Sequence, residues 1–405
     1  MLKKIIIALL LVVILAGAAI YIYRHAIIGY YAEKIIRENL PGYIKIDGID
    51  FDFTNNKISL KNFRILNPPE FSSQFLFKAD SIAFRYGILA KGIPKGLEIS
   101  SVSLNSADIR IERLQDNRVN ASEMGKFTES FPPKEAQKTP ATAKVALAPA
   151  QAKVQANAVA GRKLSDLIKL PSSFEVKGSK IAFIDSVPYE DPYIITVESI
   201  NGQVSLSFGD NYSKINNLSF DLRGRLNGRE KEIIEWIGSL NPATPRITMS
   251  NRFEVSDLNL LTFEPYYDRF SPFIFRKGSF SGTLVFDFNN GSIGSTNEIH
   301  LSNLVFSVKP GYENEKIWDT NVPDLLRYFT TPSGEVVFDF KLKGDMSNPK
   351  PYLGPISKRA IASMVIDKVA SYAIDQVAKT KDGAGSNIDK AKKAIGVLRN
   401  LLKKN

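Results

Sequence analysis

Residue types that carry out most enzyme and metal chemistry are scarce in this chain. It has two histidines, His25 and His300, and no cysteine among its 405 residues. His25 lies beside a long apolar run and His300 stands alone in a strand-like segment, so neither a Ser-His-Asp triad nor a two-histidine metal site is expected. The lack of cysteine excludes thiol nucleophiles, zinc–thiolate sites and disulfides. We therefore expect no enzymatic activity, no cofactor and no metal, with His300 on a surface strand.

One segment is spaced like part of a calcium-binding loop. Asp287, Asn289 and Glu298 occupy liganding positions of such a loop, which also needs a glycine at its sixth position for a sharp turn. Ser292 occupies that position, and Gly291 comes one residue too early. We interpret the segment as a hairpin turn at Asn290-Gly291, because this dipeptide readily adopts positive φ.

The chain is rich in apolar side chains at strand spacing. Four segments share a core in which an aspartate lies between two large apolar residues, within alternating apolar and polar positions. They are Phe51-Asp52-Phe53, Phe220-Asp221-Leu222, Phe286-Asp287-Phe288 and Phe338-Asp339-Phe340. A period of two predicts amphipathic strands, and such strands together form a sheet with one apolar and one polar face.

Turn dipeptides between these segments indicate antiparallel pairing. They are Asp47-Gly48, Asn201-Gly202, Asn227-Gly228 and Asn290-Gly291. Across Asp47-Gly48 the apolar alternation also changes phase, from Ile44 and Ile46 to Ile49 and Phe51, which predicts a bulge, and bulges coil a sheet. The predicted fold is mainly β, with curved, coiled antiparallel sheets that form a groove.

Large apolar residues of the later strands are the candidate lining of this groove. They are Phe220, Leu222, Leu284, Phe286, Phe288, Phe338 and Phe340. An open concave face would hold acyl chains, since each buried methylene contributes about 0.8 kcal/mol. The alternative is that these side chains fill the dry core of an ordinary sandwich.

The N-terminus predicts a membrane anchor. Lys3 and Lys4 precede an apolar run over residues 5–23, which as a helix would span roughly 28 Å, close to the thickness of a bilayer core. The small residues at 16–18 resemble a signal-peptide cleavage site, but the run is longer than a usual signal core, so we favour an uncleaved anchor. The positive-inside rule then places the bulk of the chain outside the cytoplasm.

The net charge of +11 suggests an anionic partner. Much of the excess lies in the Ala/Pro/Lys stretch before residue 163 and in the tail after Lys390, not on a strand face with interleaved aromatics. This distribution favours a membrane surface over nucleic acid.

Composition and periodicity divide the chain into five parts. They are an anchor with a following helix (1–40), a first β unit (41–130), a flexible linker (131–163), a larger β unit (164–355) and amphipathic C-terminal helices (356–405). Helical spacing also predicts a helix over residues 230–240. In the tail, an apolar stripe from Ile388 to Leu402 beside basic residues indicates a helix that docks on an anionic membrane or a partner, or else a solvated end cap.

The order of several segments resembles the AsmA-like family of bacterial envelope proteins. After the anchor they are residues 60–68 (LKNFRILNP), 77–82 (FKADSI), 99–104 (ISSVSL), 107–113 (ADIRIER) followed by Asn117 and Asn120, 179–185 (SKIAFID) and 343–349 (KGDMSNP). The resemblance covers most of the chain outside the linker, although the chain is shorter than the largest members.

Membership would imply an inner-membrane protein of a two-membrane bacterium, with a periplasmic β-groove for lipid movement or outer-membrane homeostasis. The expected partners are a membrane and a phospholipid or other envelope lipid. The alternative is a structural or interaction protein of the cell envelope, in which the sheet packs on itself and a C-terminal helix recruits an envelope partner.

Overall fold

The structure is a computed structural model, and it bears out a mainly β protein with few helices. It describes residues 30, 33–34, 38, 40–88, 97–131, 168–169, 171–209, 215–268, 271–313, 316–317, 320–346 and 348–379. The predicted anchor (5–23) and the predicted tail helix (388–402) lie outside these residues. Among the residues described, no helix is both long and apolar enough to cross a membrane. The chain divides into two compact units, Met1–Ile215 and Asn216–Asn405.

Among the described residues of the first unit, eight strands make up its sheet. They are β1 (Ile44–Lys45), β2 (Gly48–Asp52), β3 (Lys57–Leu66), β4 (Phe75–Ile88), β5 (Leu97–Arg113), β6 (Ile168–Lys169), β7 (Ser173–Asp185) and β8 (Tyr193–Phe208). The spatial order is β1-β3-β4-β5-β7-β8, with β2 also on β3 and β6 also on β5. One helix, α1 (Asn120–Glu129), packs against β5.

Strand β5 pairs in parallel with both β6 and β7, whereas the other described strand pairs within each unit are antiparallel. A parallel pair needs a connection of a dozen residues or more, and residues 114–172 between β5 and β7 meet this requirement. The predicted linker (131–163) therefore separates two strands of one sheet, and the compact units divide instead after Ile215.

The described part of the second unit contains nine strands, and its main sheet has the order β9-β10-β11-β12-β13-β16-β17. The strands are β9 (Ile215–Leu226), β10 (Ile233–Leu240), β11 (Met249–Asn259), β12 (Phe273–Asn289), β13 (Ser292–Val308), β14 (Lys316–Ile317), β15 (Thr320–Asn321), β16 (Val336–Asp345) and β17 (Lys350–Leu353). Strands β14 and β15 pair separately. The helices are a 3-10 turn (Leu260–Phe263), α2 (Glu264–Tyr267), α3 (Val322–Phe329) and α4 (Pro355–Lys379). The predicted helix from residue 356 is thus confirmed as α4.

Two of the four predicted hairpin turns are confirmed. Asn290 and Gly291, with φ of 46° and 83°, join β12 to β13, and Asn227-Gly228 lies between β9 and β10. The prediction was wrong for Asn201-Gly202, which lies inside β8, where Gly202 pairs with Val176.

The predicted turn and bulge at Asp47-Gly48 were also wrong. Strands β1 and β2 both pair with β3 in one register, Lys45 opposite Arg64 and Gly48 opposite Lys61. The dipeptide therefore interrupts an edge of the sheet without reversing the chain and without shifting the register.

The predicted helix over residues 230–240 was wrong, because residues 233–240 form β10. This strand pairs along its whole length with β9 on one side and β11 on the other. Isoleucine and tryptophan favour strands that pack between two neighbours, and this tertiary pairing overrides a short helical spacing. Ile237, which helped to suggest the helix, is 47% exposed on the opposite face from Trp236.

Bulges occur at other positions than the one predicted. In the first unit, residues with positive φ interrupt four strands: Asn62 in β3, Ser106 in β5, Gly178 in β7 and Ser199 in β8, whereas β4, between β3 and β5, has none. The register places Asn62 and Ser106 on either side of Asp80 of β4, and Ser106 beside Gly178. These residues therefore form a row across the sheet.

The row explains a phase change in the sequence of each strand. Val102 and Leu104 have even numbers, whereas Ala107 and Ile109, after Ser106, have odd ones. A residue in the left-handed conformation changes the direction of the side chains that follow, here without a shift in register, since Asn105 stays opposite Ser81 and Ala107 opposite Ala79. The apolar side chains on both sides of Ser106 therefore stay on one face.

Candidate functional site

The candidate site is one face of the second unit's sheet. Residues directly opposite each other in neighbouring strands point to the same face. One row of such residues crosses seven strands: Leu222, Trp236, Phe253, Leu284, Asn297, Phe340 and Leu353. We call the face that contains this row the apolar face.

All seven predicted groove residues lie on the apolar face. Leu222, Leu284 and Phe340 belong to the row above. Phe220 lies in the next row with Gly238, Asn251 and Phe286. Phe288 follows Phe286 by two residues in β12, and Phe338 precedes Phe340 by two residues in β16.

Two central aromatic residues of this face were missed from the sequence. Trp236 was assigned to a helix, and Phe253 of β11 was not considered. The signal was present, because Ile234, Trp236 and Leu240 alternate with period two in β10. Helical and strand spacing overlap in a segment this short, which is why the wrong period was chosen.

Aromatic rings form a chain of contacts across four strands of the apolar face. Ring centroids lie 4.3 Å apart for Phe220 and Trp236, and 5.4 Å apart for Trp236 and Phe253. The Phe253 and Phe286 centroids are 6.5 Å apart. These distances are typical of favourable stacked or edge-on ring pairs.

The side chains of the apolar face are only partly covered by the protein itself. Among the predicted residues only Phe220, 8% exposed, is buried. The other six have intermediate exposure. These six side chains therefore keep part of their apolar surface accessible, which costs free energy in water.

Three polar side chains interrupt the apolar face, and each is tied into the sheet. Asn251 Oδ1 accepts a hydrogen bond from Trp236 Nε1 at 3.0 Å. Asn297, which is fully buried, accepts one from the backbone N–H of Val285 at 3.2 Å and donates one to Ser295 Oγ at 2.8 Å. Ser295 Oγ also accepts from the backbone N–H of Leu342 at 2.7 Å. These bonds offset the cost of burying polar atoms.

The opposite face of the same sheet carries exposed charged and polar pairs. Arg223 and Glu235 form an ion pair at 3.3 Å across β9 and β10, and Ser250 Oγ donates to Asp287 at 2.6 Å across β11 and β12. Both pairs are exposed, so they add little stability. These pairs keep this face solvated. The other face of the sheet is the apolar one.

The last strands of the second unit are protected against pairing with other chains. The start of helix α4 lies against β16 next to β17: Ser357 Oγ accepts the backbone N–H of Asp339 at 2.9 Å, and the Asp339 carboxylate accepts the backbone N–H groups of Ile356 and Ser357. Strand β17 has four residues and contains Pro351. Short edge strands, proline and a covering helix all oppose the addition of another strand.

A buried polar cluster in the first unit has a structural role. The Glu112 carboxylate, in a residue 2% exposed, accepts the backbone N–H groups of Ser72 and Ser73 at 2.9 and 3.1 Å. Asn120 accepts the N–H of Glu112 at 3.0 Å and donates to Asn67 at 3.1 Å. The cluster holds a loop and α1 against β5, and Asn67, Glu112 and Asn120 belong to the segments that suggested the family resemblance.

The remaining sequence candidates are placed as follows. His300 lies in β13, with Nε2 2.9 Å from Glu298 Oε1, in agreement with a strand residue. Asp287 and Asn289 belong to the β12 side of a hairpin. Within the described part of the chain, no three His, Asp or Glu side chains are grouped to hold a metal ion.

Comparison with known proteins adds no further assignment. No protein-family model matches the chain, and a search of the curated proteins found no match. The functional argument therefore rests on the sequence and on the geometry of the two faces.

Proposed function

We propose that this protein is a non-enzymatic lipid-binding or lipid-transfer protein, and that acyl chains bind on the apolar face of the second unit. The observation that carries the proposal is the register, which brings seven large apolar side chains from β9, β12 and β16 to one face while six of them stay partly accessible. A ligand that removes this surface from water would gain about 25 cal/mol per Å².

The dimensions of the face support an acyl chain as the ligand. Seven strands about 4.8 Å apart span about 29 Å. One leaflet contributes about half of a hydrocarbon core of roughly 30 Å, so a single acyl layer is about 15 Å deep. The row that begins at Leu222 and ends at Leu353 is long enough for one such chain. Register shifts between Phe275 and Ser279 of β12 also support a curved, coiled sheet, since bulges increase the local twist.

The location we propose is the periplasmic side of a bacterial inner membrane, with residues 5–23 as a single-pass anchor. Its support is the basic pair Lys3 and Lys4 before the apolar run, together with the resemblance to AsmA-like envelope proteins. In this setting the protein would support outer-membrane biogenesis or homeostasis. A reporter fused after Asn405 should be active only outside the cytoplasm. Activity confined to the cytoplasm would refute this topology.

Photo-crosslinking tests the lipid proposal. The full-length protein, in membranes, is exposed to a phospholipid that carries a diazirine in one acyl chain, and crosslinked peptides are mapped by mass spectrometry. We expect crosslinks on β10, β12 and β16. Phe286→Asp should reduce them because it places a carboxylate on the apolar face. Val285→Asp is the matched control, since Val285 points to the opposite face of the same strand.

The second candidate function is a structural or interaction role in the cell envelope. The ring contacts from Phe220 to Phe286 favour it, because they show that part of the face packs on itself. In this case Phe286→Asp would unfold the second unit, as circular dichroism would reveal, and wild-type crosslinking would be absent. A folded Phe286→Asp variant with unchanged crosslinking would refute lipid binding at this face.

A further inference from the structure

One edge of β13 has no partner strand among the residues that the structure describes. Strand β13 pairs with β12 as far as Val308, but its pairing with β16 ends at Leu301, opposite Val336. Residues 302–308 therefore have a described strand on one side only. At about 3.4 Å per residue, this stretch is roughly 24 Å long. The main-chain groups on its open side are of the kind that pair with an added strand.

A cleft of about 730 Å³ follows this open edge. Ser302, Asn303 and Leu304 line it in succession, and Phe306 lines it further along the strand. Side chains alternate between the two faces along a strand. The phase change at Asn303, where φ is 54°, cannot bring three neighbours to the same face. The cleft therefore lies along the edge of β13 and not on one face of the sheet.

Helix α3 and the turn before β16 border the same cleft. Leu326 and Thr330 line it from α3 and the residue that caps this helix, and Gly334 and Glu335 line it from the turn. An extended peptide fits a space between a strand edge and a helix, because it can satisfy the open main-chain donors and acceptors of the strand one after another.

The charges of the cleft indicate which side chains such a peptide carries. Two carboxylates, Asp257 and Glu335, line the cleft together with one guanidinium, Arg327. Asp257 and Arg327 are exposed, and neither forms an ion pair within the described part of the chain. Glu335 accepts a hydrogen bond from Ser302 Oγ at 3.2 Å, which holds its carboxylate beside the open edge. The excess of negative charge favours a basic partner.

We propose that this cleft is a strand-addition site for an extended segment of a partner protein, in which apolar residues alternate with basic ones. The backbone of the segment pairs with residues 302–308 of β13. Its apolar side chains contact Leu304, Phe306 and Leu326, and its basic side chains, on the other face of the added strand, approach Asp257 and Glu335. This interaction goes beyond the proposed lipid function and does not depend on it.

Peptide titration tests the site. The full-length protein in a neutral detergent is titrated, with fluorescence anisotropy as the readout, against a labelled seven-residue peptide that alternates valine and lysine and is capped at both ends. We expect saturable binding. N-methylation of alternate residues removes the N–H groups from one edge of the peptide, and it is made on each edge in turn. One of the two methylated peptides should bind at least about tenfold more weakly, because two or three hydrogen bonds are lost.

Charge is tested with a second peptide and with two protein variants. A peptide with glutamate in place of lysine should bind at least about tenfold more weakly, because like charges would face each other in the cleft. Asp257→Asn and Glu335→Gln should each weaken binding of the lysine peptide about twofold to fivefold, as expected for partly exposed ion pairs.

Val305 and Thr296 offer a matched pair of substitutions on β13. Val305, which is 49% exposed, lies on the open stretch, so Val305→Lys should weaken binding of the lysine peptide at least about tenfold. Thr296 is also exposed but lies where β12 and β16 flank the strand on both sides. Thr296→Lys should therefore bind the peptide as the wild type does.

Four results would overturn strand addition at this edge. They are a lysine peptide that does not bind, two methylated peptides that bind as well as the unmodified one, a Val305→Lys variant that binds like the wild type, and bound peptide that slows hydrogen exchange only outside residues 302–308. Equal binding of the lysine and glutamate peptides would contradict a basic partner. A wild-type dimer that Val305→Lys converts to a monomer, measured by light scattering, would assign the edge to a second copy of this chain instead.

Discussion

Both units contain strand residues with positive φ, Asp257 and Asn303 among them in the second unit, but the centres of their apolar faces differ. In the first unit, left-handed residues such as Ser106 and Gly178 change the phase of long strands, so that apolar side chains continue on one face. In the second unit, amide and hydroxyl side chains such as Asn297 and Ser295 replace backbone bonds at the centre of the face. The first device acts through backbone conformation and the second through side-chain hydrogen bonds.

The same alternation of apolar and polar residues therefore gives the two units apolar faces with different properties. Next to the row of positive-φ residues in the first unit, the inward-pointing side chains are small and buried, as for Ala79 and Ala107. The second unit instead has a chain of rings with polar ties between them. The two faces should therefore respond to different substitutions, and the responses provide tests.

The largest effect is expected from deletion of Ser106. Without this residue, Ala107 and Ile109 would turn to the wet face and Asp108 and Arg110 to the apolar face. Burying charges and exposing apolar groups should destabilise the first unit by about 5 kcal/mol or more. Circular dichroism and limited proteolysis should show loss of its fold.

Ser106→Gly is the control for that deletion. Glycine adopts the observed φ of 50° without the strain of a side chain, so stability should be unchanged or rise by up to about 1 kcal/mol. A deletion variant that unfolds at the same denaturant concentration as the wild type would show that the phase change does not hold this face together.

An intermediate effect is expected from Asn297→Leu in the second unit. This change leaves the buried N–H of Val285 without its acceptor and removes the donor to Ser295 Oγ. The free energy of unfolding should fall by about 2 to 4 kcal/mol, measured by denaturant titration. Thr296→Leu, on the exposed side of the same strand, should change it by less than about 0.5 kcal/mol. Equal effects of the two changes would contradict the role of the polar ties.

The smallest effect concerns pH and an outer pair of the first unit. Lys180 Nζ lies 2.9 Å from Glu198 Oε1, and the hydrogen bonds from Lys180 and Thr196 lower the pKa of the Glu198 carboxyl below its usual 4.5. The folded state therefore favours the charged form. Its stabilisation is fully present above pH 4.5 and is lost as the pH falls through the lowered pKa.

Glu198→Gln should therefore be less stable than the wild type at pH 7, by a fraction of a kcal/mol because the pair is partly exposed. The difference should shrink to nothing below the lowered pKa. Thermal melts of both proteins from pH 7 down to acid would detect this convergence. If the difference in stability between the two proteins stayed constant over this pH range, the Glu198 carboxylate would not be its cause.

Much of the second unit was predictable because strand patterns are local. Phe286 and Phe288 alternate with Asp287, and this period alone assigned them to one face. Asn290-Gly291 predicted the following hairpin through its backbone preference. The assignment failed at β10, because the spacing of its apolar residues, Trp236 and Ile237 among them, fits both a helix and a strand. Only the pairing with β9 and β11 decides in favour of a strand. The polar ties were also missed, because Asn297 is an ordinary polar residue until its neighbours across the sheet are known.

The sequence by itself determined which side chains alternate along each strand, that the fold is mainly β, and that chemistry based on cysteine is excluded. These properties depend on residue type and on separations of a few residues. The tertiary structure decided which strands are neighbours, that β5 and β7 run parallel, and that Arg327, Asp257 and Glu335 line one cleft. Such features join residues far apart in the chain, and only the pairing register and the packing of α3 bring them together.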